Sequence, residues 1–419
     1  MMMNKFLFFF GLMLATLVHA QPDKQSVVNK VKELCPAADI VELEFKDNHV
    51  EVEYWCNGSL VEIGINQQTD VIFTETEAEI PADVMRKILH KLEKKYYGWV
   101  YDDFAFVQLS DTSFYKVELL KGGVEENIYF TTDGKYYKTK NVVVNESWDL
   151  NILRKSDRFK HAPYDFLSPY KSFDMPEPLK EISGIARAGG NTMFCVQDET
   201  GIIFKYNLER DELAGMLRFT DLGDFEDIAL LGDTAYILRS DGTLFFFNHA
   251  RYNGKYEKTV VPLNCLNIEG LCYDKTANSF LVSCKDQQIG SFGAYRHVYA
   301  FSPSSKHLPE ISFTIDLDEI NAMFNKNFPA LVREKLQFNP SAIAVHPLTK
   351  QRYVLSASNR LLAIYYNNTL IDVYPLPAEL YFKPEGLDFA ENGDLYISNE
   401  GMKKGYLGGS ILLLQMRQR

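Results

Sequence analysis

A chain of 419 residues with 44 Lys and Arg against 56 Asp and Glu carries a formal charge of −12, the wrong sign for a surface that grips nucleic-acid phosphates. With 46% hydrophobic and 24% charged residues it is not a disordered, collagen-like or coiled-coil chain, and its length suggests two or three domains. An aromatic content of 13% leans towards β structure, and the acidic excess suits a protein that holds a divalent cation.

The first twenty residues stand apart. Lys5 gives a positive start, Phe6 to Val18 an apolar run, and Val18-His19-Ala20 a small-His-small cleavage site before Gln21. This is a secretory signal peptide, too short for a good membrane span. No Cys follows the run, which argues against a lipoprotein anchor, and no later apolar stretch reaches about 18 residues, so no transmembrane segment is expected. The chain is therefore expected to be exported to the periplasm or beyond, cut after Ala20, where disulfides are permitted. Of the six cysteines, Cys35 and Cys56 fall in one small region and can pair. With no C-x-x-C and no H-x-H or H-E-x-x-H among eight histidines, a zinc or thioredoxin-type site is not expected.

Residues 21–142 read as one unit. Gln25 to Leu34 has helical apolar spacing and stops at Cys35-Pro36. Alternating runs follow at Ile40–Phe45, His49–Trp55 and Ser59–Ile65, separated by the turn pairs Asp47-Asn48 and Asn57-Gly58. The pattern then restarts with a second amphipathic helix, Pro81 to Tyr96, and further runs at Phe104–Leu109, Ser113–Leu120 and Glu126–Lys138. This is a helix plus an antiparallel meander, twice over. The duplication, in an exported chain, resembles the PepSY-like domains of secreted Bacteroidetes proteins, and the resemblance implies a module that binds or restrains other proteins.

Residues 143–172 mix charge, prolines and isolated aromatics without a sustained period, as a connector of which part packs on the following domain. Over residues 173–419 one phrase then recurs: EISGIA at Glu181, DFEDIAL at Asp224, NIEGLCY at Asn267, NPSAIAV at Asn339 and KPEGLDF at Lys383. Its second polar residue is Ser183, Glu226, Glu269, Ser341 and Glu385, at spacings of 43, 43, 72 and 44. A strand pair follows each phrase. A period of about 43 with three or four strands per repeat marks a β-propeller. The long interval holds a helical insertion, Leu317 to Leu336, so five blades are expected, with six as the alternative. The last repeat runs out of chain after Gln415, and Pro169–Met175 is the natural donor of its fourth strand, closing the ring and removing open sheet edges.

Read with PEGLDF…NGDLYISNEG, the phrases resemble the SdiA-regulated family of exported propellers distantly related to NHL repeats, over residues 165–418. By propeller geometry the five phrase positions converge on the central channel. Glu226, Glu269 and Glu385 would repel one another there, and calcium, with 6–8 flexible oxygen ligands, resolves the repulsion. Asp227, which stands where the other glutamate phrases have glycine, is a further candidate ligand, with Ser183 and Ser341 to complete the shell; the resemblance likewise implies a calcium site. Two alternatives stay open. The phrase glutamates hydrogen-bond strand amides from blade to blade, or Asp227 is only a hydrogen-bonding partner for a neighbouring loop. Arg239, Asn359, Asn399 and Glu400 occupy loops after second strands, near the same mouth or as ordinary turn residues, and His346 reads as structural.

With no G-x-S-x-G, P-loop or G-x-G-x-x-G opening a helix, no catalytic residue is assigned. The expected function is a calcium-binding, non-catalytic scaffold presenting a propeller face to a protein or small-molecule ligand. The alternative is a metal-dependent hydrolase, lactonase- or phytase-like, using a channel calcium.

Overall fold

The computed structural model describes residues 24–45, 49–66, 68–96, 98–109, 112–121, 124–137, 148, 150–263, 265, 268–285, 295–302, 308–331, 336, 338–401 and 407–417. The signal peptide, its cleavage site and residues 143–147 of the connector lie outside this set.

The N-terminal unit is one continuous antiparallel sheet of seven strands in chain order: β1 (Asp39–Phe45), β2 (His49–Cys56), β3 (Ser59–Asn66), β4 (Val71–Glu77), β5 (Val100–Leu109), β6 (Ser113–Lys121) and β7 (Val124–Thr131). Both helices lie on the same face. α1 (Lys24–Leu34) buries Val27 and Val31 against Val50, Val52, Ile63 and Ile65. α2 (Ala82–Lys95), opened after Pro81, buries Val84, Ile88 and Leu92 against Tyr115, Val117 and Phe130. The disulfide Cys35–Cys56 ties the end of α1 to the end of β2. The two halves are not separate sheets. β4, which the sequence reading passed over, joins them by pairing with β3 on one side and β5 on the other. Its residues Thr74 and Thr76 sit opposite Ile63 and Val61 at the seam between the helices, so the strand lacks the apolar alternation that marks its neighbours.

The propeller has five blades of four strands. It opens with α3 (Leu150–Arg154) and β8 (Lys171–Asp174). Blade 1 is β9 (Ile182–Arg187), β10 (Thr192–Gln197), β11 (Thr200–Asn207) and β12 (Glu212–Leu222). Blade 2 is β13 (Phe225–Leu231), β14 (Thr234–Arg239), β15 (Thr243–Asn248) and β16 (Glu257–Val260). Blade 3 is β17 (Ile268–Asp274), β18 (Ser279–Cys284), β19 (Tyr295–Phe301) and β20 (Glu310–Asp316), followed by α4 (Leu317–Asn327), which is shorter than the expected helical insertion. Blade 4 is β21 (Pro340–Val345), β22 (Arg352–Ser356), β23 (Leu361–Tyr366) and β24 (Thr369–Pro375). Blade 5 is β25 (Lys383–Phe389), β26 (Leu395–Glu400), β27 (Ser410–Leu414) and, as expected, the returning β8, paired Ser410 to Asp174 through Leu413 to Lys171.

The inner strands β9, β13, β17, β21 and β25 each pack on the next, and β25 returns to β9. Glycine makes this approach possible. A Cβ on Gly184 would lie 2.4 Å from the Asp227 Cα, and one on Gly386 would lie 2.4 Å from the Ser183 carbonyl oxygen. A second disulfide, Cys265–Cys284, fastens the approach to blade 3, while Cys195 and Cys272 remain thiols.

Residues of the expected connector cover the seam of blades 4 and 5. Trp148, Leu153, Tyr164 and Phe166 are buried in one core with Tyr353, Tyr374 and Phe389. Trp148 Nε1 donates to the Asn359 carbonyl at 2.7 Å, and the Tyr164 hydroxyl donates to the Gly393 carbonyl at 2.5 Å.

Candidate metal centre

The channel end of every blade is built alike. Each inner strand carries one extra residue against its partner strand, and the register slips at the same point of the phrase: between Ile182 and Ile185, Phe225 and Asp227, Ile268 and Leu271, Pro340 and Ala342, and Pro384 and Gly386. Such a bulge re-aims the side chain it carries. The re-aimed residues are those expected from the sequence: Ser183, Glu226, Glu269, Ser341 and Glu385.

Two more registers come with them. The first residue of the phrase (Glu181, Asp224 or Lys383) stands beside the residue at or just past the end of the second strand (Asp198, Ser240 or Glu400). The Asp198 amide donates to the Glu181 carbonyl at 3.4 Å and the Ser240 amide to the Asp224 carbonyl at 3.0 Å, while Lys383 pairs with Glu400 across the strands. In blade 3 Lys285 directly follows the second strand.

Blades 1, 2, 3 and 5 thus deliver seven carboxylates (Glu181, Asp198, Asp224, Glu226, Glu269, Glu385 and Glu400) that act on one another and on two lysines. Lys285 Nζ lies 2.5 Å from Glu269 Oε1, and Lys383 Nζ lies 2.5 Å from Glu400 Oε2 and 3.7 Å from Glu385 Oε1. Carboxyl groups gathered so closely disfavour one another's ionised forms. Burial, then Asp224 and Glu269, push the Glu226 carboxyl well above the usual range. Burial, then Glu400 and Glu181, do the same to Asp198. Burial opposes the Lys383 ammonium, but Glu400 and Glu385 outweigh it and raise its pKa.

Within this set, single oxygens of Glu181, Asp198 and Glu400 all lie within 4.8 Å of one another. A calcium ion bonded at about 2.4 Å spans that separation between opposite ligands. Asp198 Oδ1 is buried without a hydrogen-bond partner among the described residues, a defect that normally costs about 1–3 kcal/mol. The donor set is all oxygen, as a hard cation requires, so the residues fit such an ion.

The expected ligands separate into two kinds. Glu226, Glu269 and Glu385, each at the bulge of its inner strand, act on one another electrostatically, and Glu269 and Glu385 are ion-paired with the lysines. Asp227 differs: its Oδ1 accepts the Ile228 amide at 2.8 Å and its Oδ2 the Leu271 amide of blade 3 at 2.7 Å. It is a strut between blades, only 2% exposed. Asp388 does the same from blade 5 to blade 1, accepting the Arg187 amide at 2.6 Å. The Ser341 hydroxyl donates to the Pro384 carbonyl of blade 5 at 3.2 Å, and the Ser183 carbonyl accepts from Ser398 at 2.7 Å.

Arg239 is paired with Asp241 at 2.8 Å, and His346 Nδ1 accepts the amides of Leu348 and Thr349 at 3.1 Å, a turn cap. Glu181 and Asp198 were missed by the sequence reading. Their signal was the first residue of the phrase and the residue at or just past the end of each second strand.

No family model matches the chain, and no curated protein matches it. Among solved structures it is similar to a BLIP-like protein from Bacteroides fragilis (22% identity, 30% of this chain and 92% of that one, TM-score 0.25). It is also similar to glutaminyl cyclase from Myxococcus xanthus (11% identity, 60% and 97%, TM-score 0.40) and to virginiamycin B lyase from Staphylococcus aureus (11% identity, 90% and 95%, TM-score 0.33).

Proposed function

We propose that this is an exported β-propeller of the SdiA-regulated type that holds a calcium ion at the acidic end of its channel and acts as a non-catalytic binding scaffold, with the PepSY-like unit as a second, protein-binding module. The observation that carries the reading is the cluster of Glu181, Asp198 and Glu400 with its orphaned Asp198 oxygen. Glu181 and Asp198 belong to blade 1 and Glu400 to blade 5, where the first and last parts of the propeller meet. A cation there would clamp the ring at its closure. Glu226, Glu269 and Glu385 would supply the surrounding negative potential.

Two disulfides suit an oxidising compartment, in support of export. Among the described residues no helix is long and apolar enough to cross a membrane. The ion pairs of Lys285 and Lys383 favour the scaffold, because they leave the lysines as counter-ions rather than as substrate-holding groups. The same two lysines are the observation that favours a second reading, a metal-dependent hydrolase in which they would steady an anionic substrate beside the ion.

The test is thermal unfolding of the mature protein in EDTA and then with calcium. An ion bound only by the folded state adds about 2.7 kcal/mol at a hundredfold excess over Kd. The midpoint should rise with calcium in the wild type and stay put in Asp198→Asn. No shift in the wild type sinks the cation reading. Calcium-dependent turnover of a lactone or phosphoester, abolished in Glu269→Ala, would replace the scaffold with the hydrolase.

A further inference from the structure

The helix-free face of the N-terminal sheet carries a pattern that folding alone does not favour. The strand register sets Glu53 on β2 directly opposite Glu62 on β3, and Glu62 directly opposite Glu75 on β4. Three carboxylates ionised together in a row across three adjacent strands would destabilise a sheet. Lys116 on β6 stands opposite the small Ala105 and forms an ion pair with Glu75, two strands away, both side chains about 15% exposed. Among the described residues no hydrogen bond or ion pair reaches Glu62. Burial, then Glu75, push its carboxyl up to about 8 even with Lys116 opposing.

Apolar side chains flank the row on the same face. The Phe73 ring lies across Gly64, where a Cβ would meet it at 2.3 Å. Trp55, two residues along β2 from Glu53, is 41% exposed. A half-buried carboxylate short of a counter-ion, next to an exposed tryptophan, is the composition of an interface centre, where aromatic anchors and desolvated charge pairs concentrate.

We propose that this face docks a partner protein through a segment that places an arginine or lysine against Glu62, between Glu53 and Glu75, with one apolar neighbour on Trp55 and another on Phe73. The partner's cation gives Glu62 the counter-ion that Lys116 gives Glu75. The inference rests on the reading of the N-terminal unit as a protein-binding module and is independent of the channel cation.

The experiment uses the full mature chain and a fluorescein-labelled synthetic peptide with arginine between tyrosine and leucine, together with its glutamine and glutamate counterparts, read by anisotropy. The arginine peptide should bind at least about tenfold tighter than the glutamine peptide, with affinity falling as salt rises. Glu62→Gln should weaken it by about tenfold or more, Trp55→Ala should also weaken it, and Glu226→Gln in the channel should leave it unchanged.

Equal binding of the arginine and glutamine peptides overturns the charge rule while leaving a binding module in place. Absence of binding up to about 1 mM overturns docking of a basic segment altogether. Calcium binding that is lost in Glu62→Gln would make the row a metal site instead, and a dimer broken by Glu62→Gln would make the occupant a second copy. Either result overturns the proposal, and neither bears on a channel cation measured through Asp198→Asn.

Discussion

Replacing Asp227 by alanine separates the strut from the ligand more cleanly than any other substitution in the channel. Both carboxylate oxygens accept buried amides, Ile228 at 2.8 Å and Leu271 of the next blade at 2.7 Å, and the Gly184 strand of blade 1 packs directly on the Asp227 backbone. Three blades therefore meet at this residue. Each amide left without an acceptor costs about 1–3 kcal/mol. Part of that is returned, because burial holds the Asp227 carboxyl well above its usual range and its removal relieves the desolvation. The net loss should be about 2–4 kcal/mol, which for a domain of this size lowers Tm by roughly 5–12 °C. Asp227→Asn should cost nearly as much, since its Nδ2 turns a donor towards an amide that needs an acceptor. The assay is thermal unfolding in EDTA. A ligand role predicts that the loss appears only with calcium; a strut role predicts the full loss without it. An unchanged midpoint in EDTA would refute the reasoning.

Other expectations follow from the same structure. Glu62 has a folded pKa of about 8 against 4.5 for the free side chain. Its contribution to stability is therefore complete below about pH 4.5 and is lost as pH rises through 8. The rise bounds the effect at roughly 5 kcal/mol, and solvent screening reduces it to about 2. Glu62→Gln should accordingly unfold later than wild type at pH 9 and with it at pH 4, as denaturant midpoints at the two pH values will report; a constant difference contradicts the assignment. Opening Cys35–Cys56 by a double serine substitution frees a loop with a sequence separation of 21, worth about 3 kcal/mol, and a circular-dichroism melt of the variant should show the N-terminal unit unfolding first. Trp148→Ala removes a fully buried ring and its bond to Asn359, at about 3–5 kcal/mol, and should lower the urea midpoint of the propeller.

The repeat made the propeller legible, because each phrase begins an inner strand and the spacing near 43 residues is the length of a blade. The closing strand was legible from arithmetic alone: blade 5 lacked a strand, and Lys171–Asp174 was the run left over. β4 was not, since Thr74 and Thr76 at the seam and Glu75 and Glu77 beyond the helices give it no apolar face to announce. The phrase put Glu226, Glu269 and Glu385 at one equivalent position, which is the bulge of each inner strand, but the sequence left open whether Asp227 was a ligand or a strut. That depends on a neighbouring blade's amide, which no periodicity reveals. The cluster of Glu181, Asp198 and Glu400 was harder still, because it draws on the two ends of the propeller and forms only when the ring closes.

The central claim is that the channel end at the blade 1–blade 5 seam holds one calcium ion. Isothermal titration of calcium into EDTA-stripped mature protein tests it most directly. The account predicts one site per chain, lost in Asp198→Asn and in Glu400→Gln and retained in Glu62→Gln. Absence of calcium binding in the wild type, or binding that survives both channel substitutions, would contradict it.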